Sequence, residues 1–112
     1  MAYRIFTVQR DAQWAARAQV EETGKPFGIE CTGATEDEAR ERLSRWLEWQ
    51  REHSDALEAL QAAERAYHRA VAASAFANAT EGPTPVEMQR ESLDAVEVAR
   101  ITLDAIRARK PD

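Results

Sequence analysis

The sequence holds one cysteine, Cys31, so no disulfide can form within the chain. No apolar run approaches the ~20 residues of a membrane-spanning helix. The start, Met1-Ala2-Tyr3-Arg4-Ile5, lacks the hydrophobic segment of a secretory signal. A cytoplasmic protein without membrane contact is therefore expected, and Asn78-Ala79-Thr80 is read as an accidental match to a glycosylation acceptor. Basic residues are also in short supply, 15 against 20 acidic, for a net charge of -5. Residues 1–50 carry 7 basic and 9 acidic groups (net -2), and residues 51–112 carry 8 and 11 (net -3). With neither half basic, a phosphate backbone has no electrostatic footprint to bind, and no nucleic-acid partner is expected. Glycine is sparse: Gly24, Gly28 and Gly33 are spread through one strand and its turns, with no G-K-[ST] to make a phosphate loop.

What the chain does have is apolar and charged surface in globular proportion. Hydrophobic residues are 44% of 112 and charged residues 31%, enough for a single domain with a modest core. Much of the apolar content is alanine, which predicts a thin core and closely packed helices.

Residues 3–9 are β-branched and aromatic and read as a strand. Phe6 and Val8 share one face, Tyr3 and Ile5 the other, and either face could be the buried one. Residues 13–21 alternate, with Trp14, Ala16, Ala18 and Val20 against Gln13, Ala15, Arg17 and Gln19, the period of a strand with one covered face. Glu22-Thr23-Gly24-Lys25 is a turn, and a third strand over 26–32 places Phe27, Ile29 and Cys31 on one face. Thr35-Glu36-Asp37-Glu38 is a capping box, and its acids suit the positive end of a helix. Ala39, Leu43, Trp46, Leu47 and Gln50 then form a stripe at helical spacing that should cover the sheet.

At His53-Ser54-Asp55 the pattern allows two readings, because Asp55-Ala56-Leu57-Glu58 resembles a second capping box. Residues 36–78 form either one helix or two, with Leu57, Leu60, Tyr67, Val71 and Ser74 as inward candidates. Residues 78–85, with one Gly and two Pro, break the pattern. A last helix is expected over about 85–109, with Leu93, Val96, Leu103 and Ile106 as its main stripe and Ala99 and Arg100 between. Arg107, Arg109 and Lys110 suit its negative end. Two helices of similar length joined by a short segment predict an antiparallel hairpin.

Residues that carry chemistry do not assemble into a constellation. His53 and His68 are fifteen positions apart, and Glu64 and His68, four apart, lack the second Glu/His pair of a di-metal bundle. Cys31 is read as a small buried hydrophobe. Glu87, Glu91, Asp94 and Glu97 are read as a solvated helix face. No enzyme activity, catalytic residue, metal or cofactor is expected. Trp49 falls off the centre of the core stripe and is a candidate anchor for a partner, unless later helices cover it. The last helix carries a second apolar row, Val98, Ile101, Ala105 and Ala108, that needs a cover of its own.

The segment Gly33-Ala34-Thr35-Glu36-Asp37-Glu38-Ala39, followed by Leu43 and Leu47 and preceded by a meander of strands, resembles the N-terminal domain of HicB-type antitoxins over residues 3–47. The resemblance implies a non-catalytic regulator that occupies a toxin ribonuclease, with a separate part that binds DNA. The remainder departs from that family: no later strand completes its sheet, and the C-terminal half reads as a helical hairpin instead of a DNA-reading element.

The expected fold is α+β: a three-stranded antiparallel β-meander with a packed helix (residues 1–52), followed by a long helical hairpin (53–112), in one domain. The expected function is a small protein-interaction or regulatory module that forms a homodimer and takes a possible protein partner, with interface residues Trp49, Val98, Ile101 and Ala105. The alternative is a HicB-like antitoxin that neutralises a toxin ribonuclease.

Overall fold

The computed structural model of the chain describes residues 2–76 and 85–111. Three strands, β1 (Tyr3–Arg10), β2 (Gln13–Val20) and β3 (Pro26–Gly33), precede two helices, α1 (Glu36–Phe76) and α2 (Pro85–Ala108). The fold is α+β, with an antiparallel sheet in the order β1-β2-β3. Of the open question over residues 36–78, the described part, Glu36–Phe76, is one continuous helix of 41 residues; 77 and 78 lie outside the described residues. Most of the expected break at 78–85 lies outside the described residues; its last residue, Pro85, opens α2, where its fixed φ and missing N–H cost least. Contacts divide the chain into two compact units, Met1–Gln50 with Lys110–Asp112, and Arg51–Arg109.

In the first unit, β1 and β2 meet through the two-residue loop Asp11-Ala12, with Arg10 opposite Gln13. Asp11 takes φ 52, a left-handed value that Asp tolerates better than most residues. Between β2 and β3, Gly24 at φ 70 closes the turn, and its amide donates to the Val20 carbonyl at 2.8 Å. The face of β1 that turns inward is that of Ile5, which packs on the core, while Tyr3 stacks on Phe27 with ring centroids 5.9 Å apart.

The core joins Ala16, Ala18 and Cys31 of the sheet to Ala39, Leu43 and Leu47 of α1, with Ile5, Trp14, Phe27 and Trp46 packed at its margin. Three of its six central residues are alanine, so the helix approaches the sheet closely. Ala15, on the opposite face of β2, is also buried, at 4% exposure, between Val8 and Thr32 of the flanking strands. Ile29 corrects the expected β3 pattern: it is 46% exposed. The register slips between Ala16↔Cys31 and Ala18↔Phe27, so three residues of β3 stand opposite one of β2. Gly28 enters this bulge at φ 81, and Ile29 lies within it, off the inward row that Phe27 and Cys31 keep.

The N-terminus of α1 is capped as expected, with the Glu38 amide donating to Thr35 Oγ1 at 3.1 Å. The Glu38 carboxylate pairs with Arg42 at 2.8 Å. Gly33 fits here because a Cβ would stand 2.7 Å from the Ala39 amide nitrogen.

The second unit is a helical hairpin. Near its open end Arg107 Nε donates to His53 Nε2 at 3.3 Å, and Arg109 meets Glu52 at 3.5 Å, so the last turn of α2 lies beside residues 52–53 and the helices run antiparallel. The seam differs from the expected one on both helices. On α1 it centres on Ala56 and Ala70, with Ala63 between them and Leu57, Leu60 and Tyr67 half-buried, while Val71 is 41% exposed. Val71 stands one position, about 100°, past the buried Ala70. On α2 the buried residues are Val96, Leu103 and Ile106, and Leu93 is 42% exposed. Leu93 sits about 100° from the middle of that arc. Alanine on the α1 side gives the larger α2 residues room to approach. Ser74 belongs to α1, but its side chain is outside the description.

Candidate functional site

The second unit carries an open groove of 490 Å³ between its helices, walled by Ala56, Ala59 and Ala63 of α1 and by Ala95, Val98 and Thr102 of α2. Short side chains on α1 create it, because alanine at these positions leaves unfilled the space that a longer residue would occupy. The Thr102 hydroxyl donates to the Val98 carbonyl at 2.9 Å, back into its own helix. Asp94 brings the charge to the groove's lining.

Val98 continues from the groove into the second apolar row of α2. Val98 is 64% exposed and Ile101 69%, and Ala105 and Ala108 are exposed beside them. The structure thus brings three of the four sequence-derived interface residues, Val98, Ile101 and Ala105, onto one face of α2.

Trp49 stands elsewhere, in the first unit. It is half-buried, tilted against Trp46 with centroids 6.4 Å apart, and Lys110 Nζ lies 5.6 Å from its ring centre. Those neighbours hold the indole within its own unit by packing and a cation–π contact.

The titratable groups are dispersed. His68 is exposed and Glu64 half-buried on α1, and among the described residues no three His, Cys, Asp or Glu side chains gather where they could hold a metal ion. Cys31 is buried, and desolvation pushes its thiol pKa up against the opposing charge of Arg42. Glu36 receives a 2.8 Å hydrogen bond from Thr7 Oγ1 and a 3.3 Å contact from Arg40, and these hold its carboxyl below the usual range, the Thr7 bond contributing most. This pair ties β1 to the first turn of α1, a positioning contact that spacing in the sequence does not announce. Glu87, Glu91, Asp94 and Glu97 are exposed on α2.

Comparison with family models, curated proteins and solved structures gave no match for this chain. The α1 wall of the groove escaped sequence reasoning, although Ala56, Ala59 and Ala63 do repeat at helical spacing. Alanine marks a close approach or an empty wall equally well, and only the position of α2 separates the two.

Proposed function

We propose that this chain is a small non-catalytic interaction or regulatory module of the cytoplasm that self-associates through its helical hairpin. One observation carries the reading: Val98 and Ile101 stand 64% and 69% exposed on a continuous apolar row that borders an open alanine-walled groove. Contiguous apolar surface of this kind marks association sites more often than isolated exposed hydrophobes do. Covering Ile101 fully would contribute roughly 1.5–3 kcal/mol per chain, a sizeable fraction of a domain's stability. A second hairpin supplies the matching surface, and two-fold pairing is the commonest closed symmetry. Light scattering on a size-exclusion column at tens of micromolar tests this: a mass of twice 12.6 kDa is expected, and a monomer mass removes the proposal.

A second reading, a HicB-like antitoxin, draws support from the first unit, whose three-stranded meander leads through the Thr35 cap into a helix packed on the sheet. It requires saturable inhibition of a toxin ribonuclease encoded beside this gene. Without such a neighbour, or without inhibition by the purified chain, that reading falls.

A further inference from the structure

We infer that the second copy binds antiparallel, α2 against α2, with Val98 of each chain facing Ile101 of the other across the two-fold axis. This rests on the self-association proposed above and adds its polarity and register. Glu87, Glu91, Asp94, Val98, Ile101, Ala105 and Ala108 follow one another at alternating steps of four and three, the spacing of a helix–helix seam, and all seven are exposed. The seam is divided by character: its first three positions are acidic and its last four apolar. The helix as a whole is divided in the same way. Residues 85–97 hold four acids and one base, net -3, and residues 98–109 hold three bases and one acid, net +2.

That division decides the orientation. A parallel pair sets Glu87, Glu91 and Asp94 each against its own counterpart, and like charges facing one another across a helix seam repel. An antiparallel pair centred between Val98 and Ile101 sets Asp94 over the partner's Ala105 and Glu91 over the partner's Ala108, next to the partner's Arg109. The small alanines leave the carboxylates room to reach water or the guanidinium. The negative half of each α2 then lies along the positive half of the other. Sliding the pair by one heptad toward the C-terminus would shorten the overlap of the two helices, and sliding it the other way would place Asp94 on Val98. The chosen register alone joins the two largest apolar residues of the seam to each other over a long overlap.

Cysteine cross-linking reads this arrangement directly. In full-length chains carrying Cys31→Ala, Asp94→Cys and Ala105→Cys are made separately. The two sites are eleven residues, about 16 Å, apart along the helix, too far for one arrangement to satisfy both pairings. Mild oxidation of a mixture of the two variants should give the mixed 94–105 disulfide, while each variant alone stays uncross-linked. Disulfides formed by each variant alone show a parallel pair and overturn the inference while leaving self-association intact. A dimer by light scattering that yields no cross-link in the mixture places the interface off this seam and also overturns it. A monomer by light scattering removes the self-association beneath it.

Discussion

The ring of Trp46 lies so close to Gly28 that a Cβ built on the glycine would stand 2.7 Å from Cζ3. Gly28 also holds φ 81 in the bulge of β3. Two separate constraints, a left-handed backbone and a helix side chain pressed on the strand, therefore fall on one residue. Gly28→Ala should destabilise the protein by about 2 kcal/mol or more. Gly24, at φ 70 with nothing within 4 Å of its Cβ position, isolates the first constraint. Gly24→Ala should cost only about 1 kcal/mol. Urea unfolding followed by tryptophan fluorescence measures both, and equal losses would show that the Trp46 contact carries no energy.

That contact sits where alternation along β3 misleads. Strict alternation along β3 places Ile29 inward with Phe27 and Cys31, whereas the isolated Gly28 is the one local sign of a bulge, and it was outweighed by the alternation. Trp46, eighteen positions later, meets the strand at this bulge. The other strands and the Thr35 cap were legible because each rests on local pattern: apolar alternation, a Gly turn, a hydroxyl three residues before an acid. The continuity of α1 was not, because Asp55 and Glu58 fit a helix start as well as an exposed helix surface, where both in fact stand. On α2 the exposed row of Val98 and Ile101 was legible from spacing alone. The groove beside it was not, since its α1 wall is made of the least informative side chain.

The Thr7–Glu36 bond predicts a pH dependence. Glu36 has a folded pKa below its unfolded value, so its contribution to stability is full above the ordinary carboxylate range. It fades as pH falls through the folded pKa, where the folded carboxylate takes up its proton and loses its advantage. Thr7→Val removes the largest cause of the depression and leaves Arg40 in place. An NMR titration of the Glu36 side chain should show its midpoint rise toward the ordinary value in the variant, and an unchanged midpoint would refute the assignment.

Cys31 should react slowly in the native protein. It is 9% exposed on the core side of β3, and its thiol pKa is raised by burial. Both effects reduce the reactive thiolate available to a reagent, so native labelling should be on the order of tenfold or more slower than labelling in denaturant. Rapid native labelling would mean that β3 opens far below the free energy of global unfolding.

Among the described residues Leu43 is the largest side chain that is fully buried, at 0% exposure between α1 and the sheet. Its neighbours include Ala16, Ala18 and Ala39, which have no longer side chains to fall into a space left behind. Leu43→Ala should therefore lie within the costly range for core truncation, about 2–5 kcal/mol, and its thermal midpoint should drop accordingly. A loss under about 1 kcal/mol would show that α1 can settle onto the sheet without it.

Ile101→Glu separates an interface from a tolerated exposed hydrophobe. The side chain is 69% exposed within its own chain, so a carboxylate there meets water and leaves the monomer fold intact by circular dichroism. In the proposed dimer the same position is covered by Val98 of the partner. Each chain would lose roughly 1.5–3 kcal/mol of apolar burial, and two-fold symmetry counts the loss twice. The dissociation constant should rise on the order of a hundredfold or more, enough to give a monomer at tens of micromolar. Glu97→Lys is the control: it changes charge beside the seam without touching its apolar positions, and the effect of an exposed charge should stay within about threefold. Sedimentation equilibrium of the three proteins measures all of this. Dissociation by Glu97→Lys with a persistent dimer in Ile101→Glu would move the interface off the Val98–Ile101 row. Loss of helicity in Ile101→Glu would instead show that the exposed row supports the hairpin itself.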